Sequence, residues 1–259
     1  RCFKTKKLFD LAVAQLASAK NELSTMDDAK KEVIYELGTC YELMGRAGLS
    51  HMLEHMMFKG TAKYPKGSFS RIIRKNGGTD NAFTGHDFTA YFENLAADHV
   101  ELALELEADR MQGLLLDNNE LQTEREVVKE ERRLRSEDDP QGALVEALFA
   151  QTFLSHPYHW PVIGWFADLE AMSLDDLQRH YDTFYSPNNA TLIVVGDIKA
   201  DALLQTIKNL FEPIPKGPSP KQTVSAEPEQ RGERRFVLKR EAQIPSVMMG
   251  FRVPNHSSE

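Results

Sequence analysis

Cysteine is nearly absent, with Cys2 and Cys40 the only two in 259 residues. That excludes a disulfide-built fold and any Cys-x-x-Cys metal or redox pair. Long apolar runs are missing too: none approaches the 18 or more residues that a membrane span needs. Nor is there an excess of positive charge. Lys and Arg number 31 against 39 Asp and Glu, a net charge of −8, which disfavours nucleic acid and anionic membrane surfaces as partners. The opening Arg1-Cys2-Phe3-Lys4 has too few apolar residues for a secretory leader. Arginine in place of an initiator methionine points to a processed product or a fragment. What is present, 41% hydrophobic and 27% charged residues, describes an ordinary soluble globular chain of one large or two small domains.

One stretch stands out, Gly48-Leu-Ser-His-Met-Leu-Glu-His-Met-Met-Phe-Lys-Gly60. As a helix it places Leu49, Met52, Leu53, Met56 and Met57 on one apolar stripe. His51, Glu54 and His55 share an arc of roughly 100° on the other side. Two imidazoles four apart on a helix can grip one metal ion, and the carboxylate of Glu54 lies between them. His-x-x-Glu-His is a signature of zinc proteases. The bland alternative is a polar face turned to water. Zinc in a hydrolase takes three protein ligands plus water, so the metal reading requires a third ligand elsewhere.

The charged region Leu121 to Pro140 offers two candidates. It reads as a helix ending before Pro140, with Val127, Val128 and Leu134 as its few apolar residues. The face they define carries Glu124 and Glu131, two turns apart and therefore stacked. A carboxylate on a packed face is costly unless it is paired or bound to a cation. Spacing thus separates these two from charges that a solvated helix explains.

Together, His51-x-x-Glu54-His55 and Glu124-x6-Glu131, which begins 69 residues after His55 and ends 76 after it, resemble the pitrilysin/insulinase family of zinc metallopeptidases. Asn76-Gly-Gly-Thr-Asp-Asn-Ala-Phe-Thr84 is similar to the family's active-site edge strand. His156-Pro-Tyr158 with Pro161-Val-Ile-Gly-Trp165 is similar to a family loop, and Tyr185 to Asp197 to a family strand. The likeness runs from about Ala47 to the end. It implies an α+β fold, an antiparallel or mixed sheet packed with helices, forming one half of a clamshell. It implies one zinc ion held by His51, His55 and Glu131, with Glu54 as general base and Glu124 behind a ligand, serving catalysis from there. Asn81 and Ala82 are expected to hold the substrate backbone, and Phe83 to line a side-chain pocket. The implied substrate is a peptide or unfolded segment in extended form. The implied partner is a second peptidase half, or another copy in a homo-oligomer, and the compartment a bacterial periplasm or cytoplasm. A catalytically silent partner subunit and a helical-repeat interaction module are the alternatives.

Residues 1–47 depart from that pattern. Leu8, Leu11, Ala12, Leu16, Ala19 and Leu23 recur at helical spacing, as do Val33, Leu37, Cys40, Tyr41 and Met44. This predicts a helical hairpin, and Tyr35 to Gly45 resembles a tetratricopeptide helix. The expected organisation is therefore a hairpin over 1–47, a catalytic domain over 48–212, a proline-rich linker over 213–235 and the strand-like opening of a second domain over 236–259. Within the catalytic domain, strands are expected at Asp80–Thr84 and Phe88–Asn94, and a buried one at Thr191–Val195. Ser173-x-x-Asp176 predicts a capping-box helix start. His86 reads as a turn residue, and His156 and His159 as structural.

Overall fold

The computed structural model describes residues 32–37, 47–218 and 226–253, and over 32–37 the backbone alone. Its centre is a four-stranded antiparallel sheet in the order β2-β3-β1-β4. The strands are β1 (Glu32–Leu37), β2 (Thr79–Thr84), β3 (Thr89–Asn94) and β4 (Ala190–Val195). Helices α1 (Leu49–Met56), α2 (Ser68–Lys75), α3 (Val100–Gly113), α4 (Asn118–Arg132) and α5 (Pro140–Thr152) follow one another in the first part. Helices α6 (Phe166–Ala171), α7 (Leu174–Phe184) and α8 (Ala200–Phe211) complete the α-helices of the described residues.

Strand β1 corrects the predicted helix at Val33 and Leu37. Its backbone is an inner strand, paired with β3 on one side and β4 on the other. Val33, Ile34 and Tyr35 are β-branched or aromatic types that favour strands. Val33, Tyr35 and Leu37 also alternate, so the pattern was never exclusively helical. Backbone groups of β3 and β4 need partners, and that demand decides between the two periods. The rest of the predicted hairpin, with Cys2 and Cys40, lies outside the described residues.

Alternation along β2 and β3 sorts their side chains. Asp80, Ala82, Thr84, Thr89, Tyr91 and Glu93 share the face beneath α1, where Ala82 and Tyr91 pack into the main core. Asn81, Phe83 and Phe92 take the other face, with the Phe83 and Phe92 rings 6.4 Å apart. The core is built on the predicted stripe of α1: Leu49, Met52, Leu53 and Met56 are fully buried. Leu121 and Val128 of α4 and Leu177, Tyr181 and Phe184 of α7 close over it. Arg110 of α3 is buried beside Glu107 (2.8 Å) and within 3.5 Å of Glu93, with its guanidinium 4.4 Å from the Phe69 and Tyr91 rings. Burial, then the Glu107 carboxylate, pushes the Glu93 carboxyl well up, so the cluster avoids two adjacent buried anions.

Two further expectations change. Strand β4 is half-buried rather than buried, with Thr191 exposed, because it is the outer strand of the described sheet on that side. The expected strands within 236–253 do not form among the described residues, since no strand lies alongside to supply a ladder. The chain from residue 234 onward is held instead by polar contacts. Arg234 donates to the Gln151 and Thr152 carbonyls at the end of α5, and Arg240 to the Glu137 carbonyl. Just before it, the Glu227 carboxylate accepts from the amides of Leu154, Ser155 and His156, each at 2.8 Å. Val237, Ile244, Val247, Met249 and Phe251 remain exposed.

Candidate metal centre

Helix α1 begins on Gly48, whose φ of +94° is left-handed. A Cβ there would sit 2.6 Å from the Ile163 carbonyl oxygen, and one on Gly164 (φ +84°) would overlap the Ala47 carbonyl. Only glycine at both positions allows the two backbones to touch. From α4, Arg132 donates to the Gly164 carbonyl at 2.8 Å and forms a bidentate pair with Glu146 of α5. The start of α1 and the end of α4 are thereby referenced to one loop, Pro161 to Trp165, which fixes the His pair against Glu131.

The Glu131 Oε2 atom lies 3.6 Å from His51 Nε2 and 3.4 Å from His55 Nε2. All three ligand atoms fall within 4.8 Å of one another. Tetrahedral zinc with bonds of about 2.05 Å places neighbouring ligand atoms about 3.4 Å apart, so the residues present fit that ion. Burial lowers the His51 imidazole to about 4, with the neighbouring His55 adding to the effect, and leaves it a neutral donor. For His55 burial also acts downward, but hydrogen bonds with Glu124 and Glu131 outweigh it and raise the ring to about 9. Burial would raise Glu131, yet the His55 hydrogen bond and the charges of His51 and Arg135 bring it to about 2. The carboxylates of Glu124 and Glu131 thus favour positive charge at His55, while burial disfavours it at His51.

Around this triad, the carboxylate of Glu124 accepts from His55 Nδ1 at 2.9 Å and from the Lys59 ammonium. That bond orients the ring so that Nε2 faces Glu131. Glu54 accepts from the Thr84 hydroxyl at 2.5 Å, and burial is the main cause raising its carboxyl above the usual range. Asn81 and Phe83 lie on the sheet face away from α1, and Ala82 packs against the core on the near face. Among the described residues β2 pairs on one side alone, with β3. His156 and His159 take structural contacts, accepting from the Tyr158 amide and meeting the Phe153 carbonyl. His86 does more than turn the chain, since its ring stacks on Phe149 at 5.5 Å.

The packed face of α4 differs from the expected one. Val127 and Leu134 do not define the packed face of α4: they are 48% and 62% exposed. The buried residues are Leu121, Glu124, Val128 and Arg132. Sequence reasoning also missed Lys59 and Arg135, which pairs with Glu131 at 2.7 Å. Both lie four positions beyond a candidate ligand, His55 and Glu131 respectively, a spacing that the helical i,i+4 rule makes visible. His180 had no such signal. Its Nε2 lies 3.2 Å from Ser50 Oγ of helix α1.

Burial holds the His180 ring down at about 4. An unfolded histidine titrates near ~6.5, so its contribution to stability is intact above that pH and declines as pH falls toward the folded value. Linkage puts the loss at about 2 kcal/mol between pH 7 and pH 5. Urea unfolding of the wild type and His180→Gln at both pH values tests this: the wild type is expected to lose about 2 kcal/mol more than the variant.

The comparisons with known proteins fall where this geometry leads. Residues 18–164 match the insulinase family (peptidase family M16), and residues 171–259 match the peptidase M16 inactive domain. The chain belongs to that family. It is 35% identical over 229 residues to the zinc protease PqqE of Helicobacter pylori, covering 86% of this chain and 51% of that protein. It is 30% identical over 216 residues to the uncharacterized zinc protease YmxG of Bacillus subtilis, covering 83% and 51%. The crystal structure of a protease from Helicobacter pylori superposes with a TM-score of 0.69 at 33% identity, over 77% of this chain and 48% of that one. The first half of the periplasmic protease PqqL from Escherichia coli shares the fold, with a TM-score of 0.68 at 23% identity over 76% and 45%. The chain thus spans about half the length of the curated relatives it matches. The family match begins at residue 18 and takes in β1.

Proposed function

We propose that this chain is the metal-bearing half of a zinc metalloendopeptidase. The observation that carries the reading is the meeting of His51 and His55 of α1 with Glu131 of α4 at ligand-to-ligand distances. Zinc, when bound, supplies a Lewis acid for the scissile carbonyl and brings the pKa of a water towards ~7. The chain's own residues do the rest. Glu54 takes the proton of the attacking water and returns it to the leaving amine. Glu124 keeps His55 in register. Strand β2, at Asn81, Ala82 and Phe83, receives an extended peptide by strand addition; the one-sided pairing of β2 among the described residues supports this.

The catalytic unit proposed is 48–212 with β1 joined to its sheet, followed by a linker over 213–235 and the opening of a second half from 236. That second half, or another copy, is the proposed partner. A silent subunit is the rival reading, because the inactive-domain match covers 171–259. The ligands and Glu54 all lie outside that range, within 51–131, which favours the active one. No helix among the described residues is long and apolar enough to cross a membrane.

The test uses the full-length zinc-loaded protein and an unstructured peptide. Cleavage that stops on chelation and returns with zinc is expected. Zinc bound in full occupancy without cleavage supports the silent subunit instead.

A further inference from the structure

We infer that Thr84 is the positioning residue for Glu54, its hydroxyl holding one carboxylate oxygen so that the other is left to exchange the proton. The inference rests on the peptidase reading and adds a residue to it.

Three observations carry it. Thr84 Oγ1 lies 2.5 Å from Glu54 Oε2, a contact between residues 30 apart in sequence. An ionised carboxylate only accepts, so the Thr84 hydroxyl is the donor. Its own oxygen lies 3.2 Å from Thr89 Oγ1, and with the Thr84 proton committed to Glu54, the Thr89 hydroxyl donates to Thr84. Thr89 is fully buried. The result is a directed pair of hydroxyls that ends on the carboxylate.

The hydroxyls are themselves held by the strands. Thr84 and Thr89 face each other in the β2–β3 register. The Gly85 amide bonds the Phe88 carbonyl at 2.8 Å and closes the turn between them, and Asp87 in that turn accepts from Tyr158 at 2.5 Å. A β-branched threonine adds stiffness at χ1. Glu54, by contrast, has a flexible side chain that needs a fixed partner to hold one orientation. The same strand carries Asn81, Ala82 and Phe83, so the base is tied to the strand proposed to receive the peptide.

Thr84→Val keeps the shape and removes the hydroxyl, and Thr84→Ser keeps the hydroxyl. In the full-length zinc-loaded protein, Thr84→Val is expected to lower kcat roughly 10- to 100-fold, the loss of one hydrogen bond to a charged group. KM and zinc content stay at wild-type values, and Thr84→Ser restores most of kcat. A filler that merely stabilises the strand would move melting temperature and zinc content instead. Wild-type kcat in Thr84→Val, or an equal loss in Thr84→Ser, overturns the inference while the peptidase reading stands. A wild type that binds zinc and does not cleave overturns both.

Discussion

Glu54→Gln is expected to lower kcat/KM by about 10²- to 10⁴-fold, the range for removing a general acid–base group, while zinc binding stays intact. Glutamine matches glutamate in size, and its amide oxygen can still accept from Thr84, so the 2.5 Å contact survives. Helix α1 is secured by Leu49, Met52, Leu53 and Met56, none of which changes. Glu54 is not among the three residues whose ligand atoms cluster. What disappears is the ability to take a proton. Steady-state cleavage of an unstructured peptide, with metal content measured on the same sample, checks this. A variant that keeps its zinc and cleaves within a few-fold of wild type removes Glu54 from the mechanism.

Glu131→Gln carries the other large effect, on the metal. Glu131 Oε2 is the one atom shared by both histidine contacts, at 3.6 and 3.4 Å, and its negative charge offsets part of the cation's. Losing an outer partner such as Glu124 costs about 10- to 100-fold in metal affinity. Losing the ligand itself is expected to exceed about 100-fold. Glu124→Gln falls between Glu131→Gln and wild type, since Glu124 touches His55 through Nδ1 rather than the ligand atom. Competition for zinc with a chelating dye reads the order directly. Equal affinities in wild type and Glu131→Gln contradict the assignment.

Much of the site was legible because helical spacing speaks locally. His55 lies four positions after His51, and Glu131 seven after Glu124, so each pair shares a face before any fold is known. Bringing the pairs together was legible only through the family resemblance, because no local rule links α1 to α4. The structure supplies the physical link at Gly48, Gly164 and Arg132. Of the three apolar residues that placed Glu131 on the packed face, Val128 is buried as expected, whereas Val127 and Leu134 are not. Both are exposed, and the buried side is set by Leu121 and Val128 packing under α1.

The fold was less legible where long-range pairing overrides local pattern. Glu32–Leu37 fits two periods, and only the open ladders of β3 and β4 select the strand. The stretch 236–253 shows the converse. Val237, Val247 and Phe251 are strand-forming types, but without a neighbour the backbone stays irregular and they stay exposed. Hydroxyl partners such as Thr84 are set by strand register, which helical and strand periodicity do not encode.

The most direct measurement is diffraction from zinc-loaded crystals on either side of the zinc absorption edge. One anomalous peak about 2.0–2.2 Å from His51 Nε2, His55 Nε2 and a Glu131 oxygen is the predicted result. A peak elsewhere, or one that touches the two imidazoles and leaves Glu131 turned away, contradicts it.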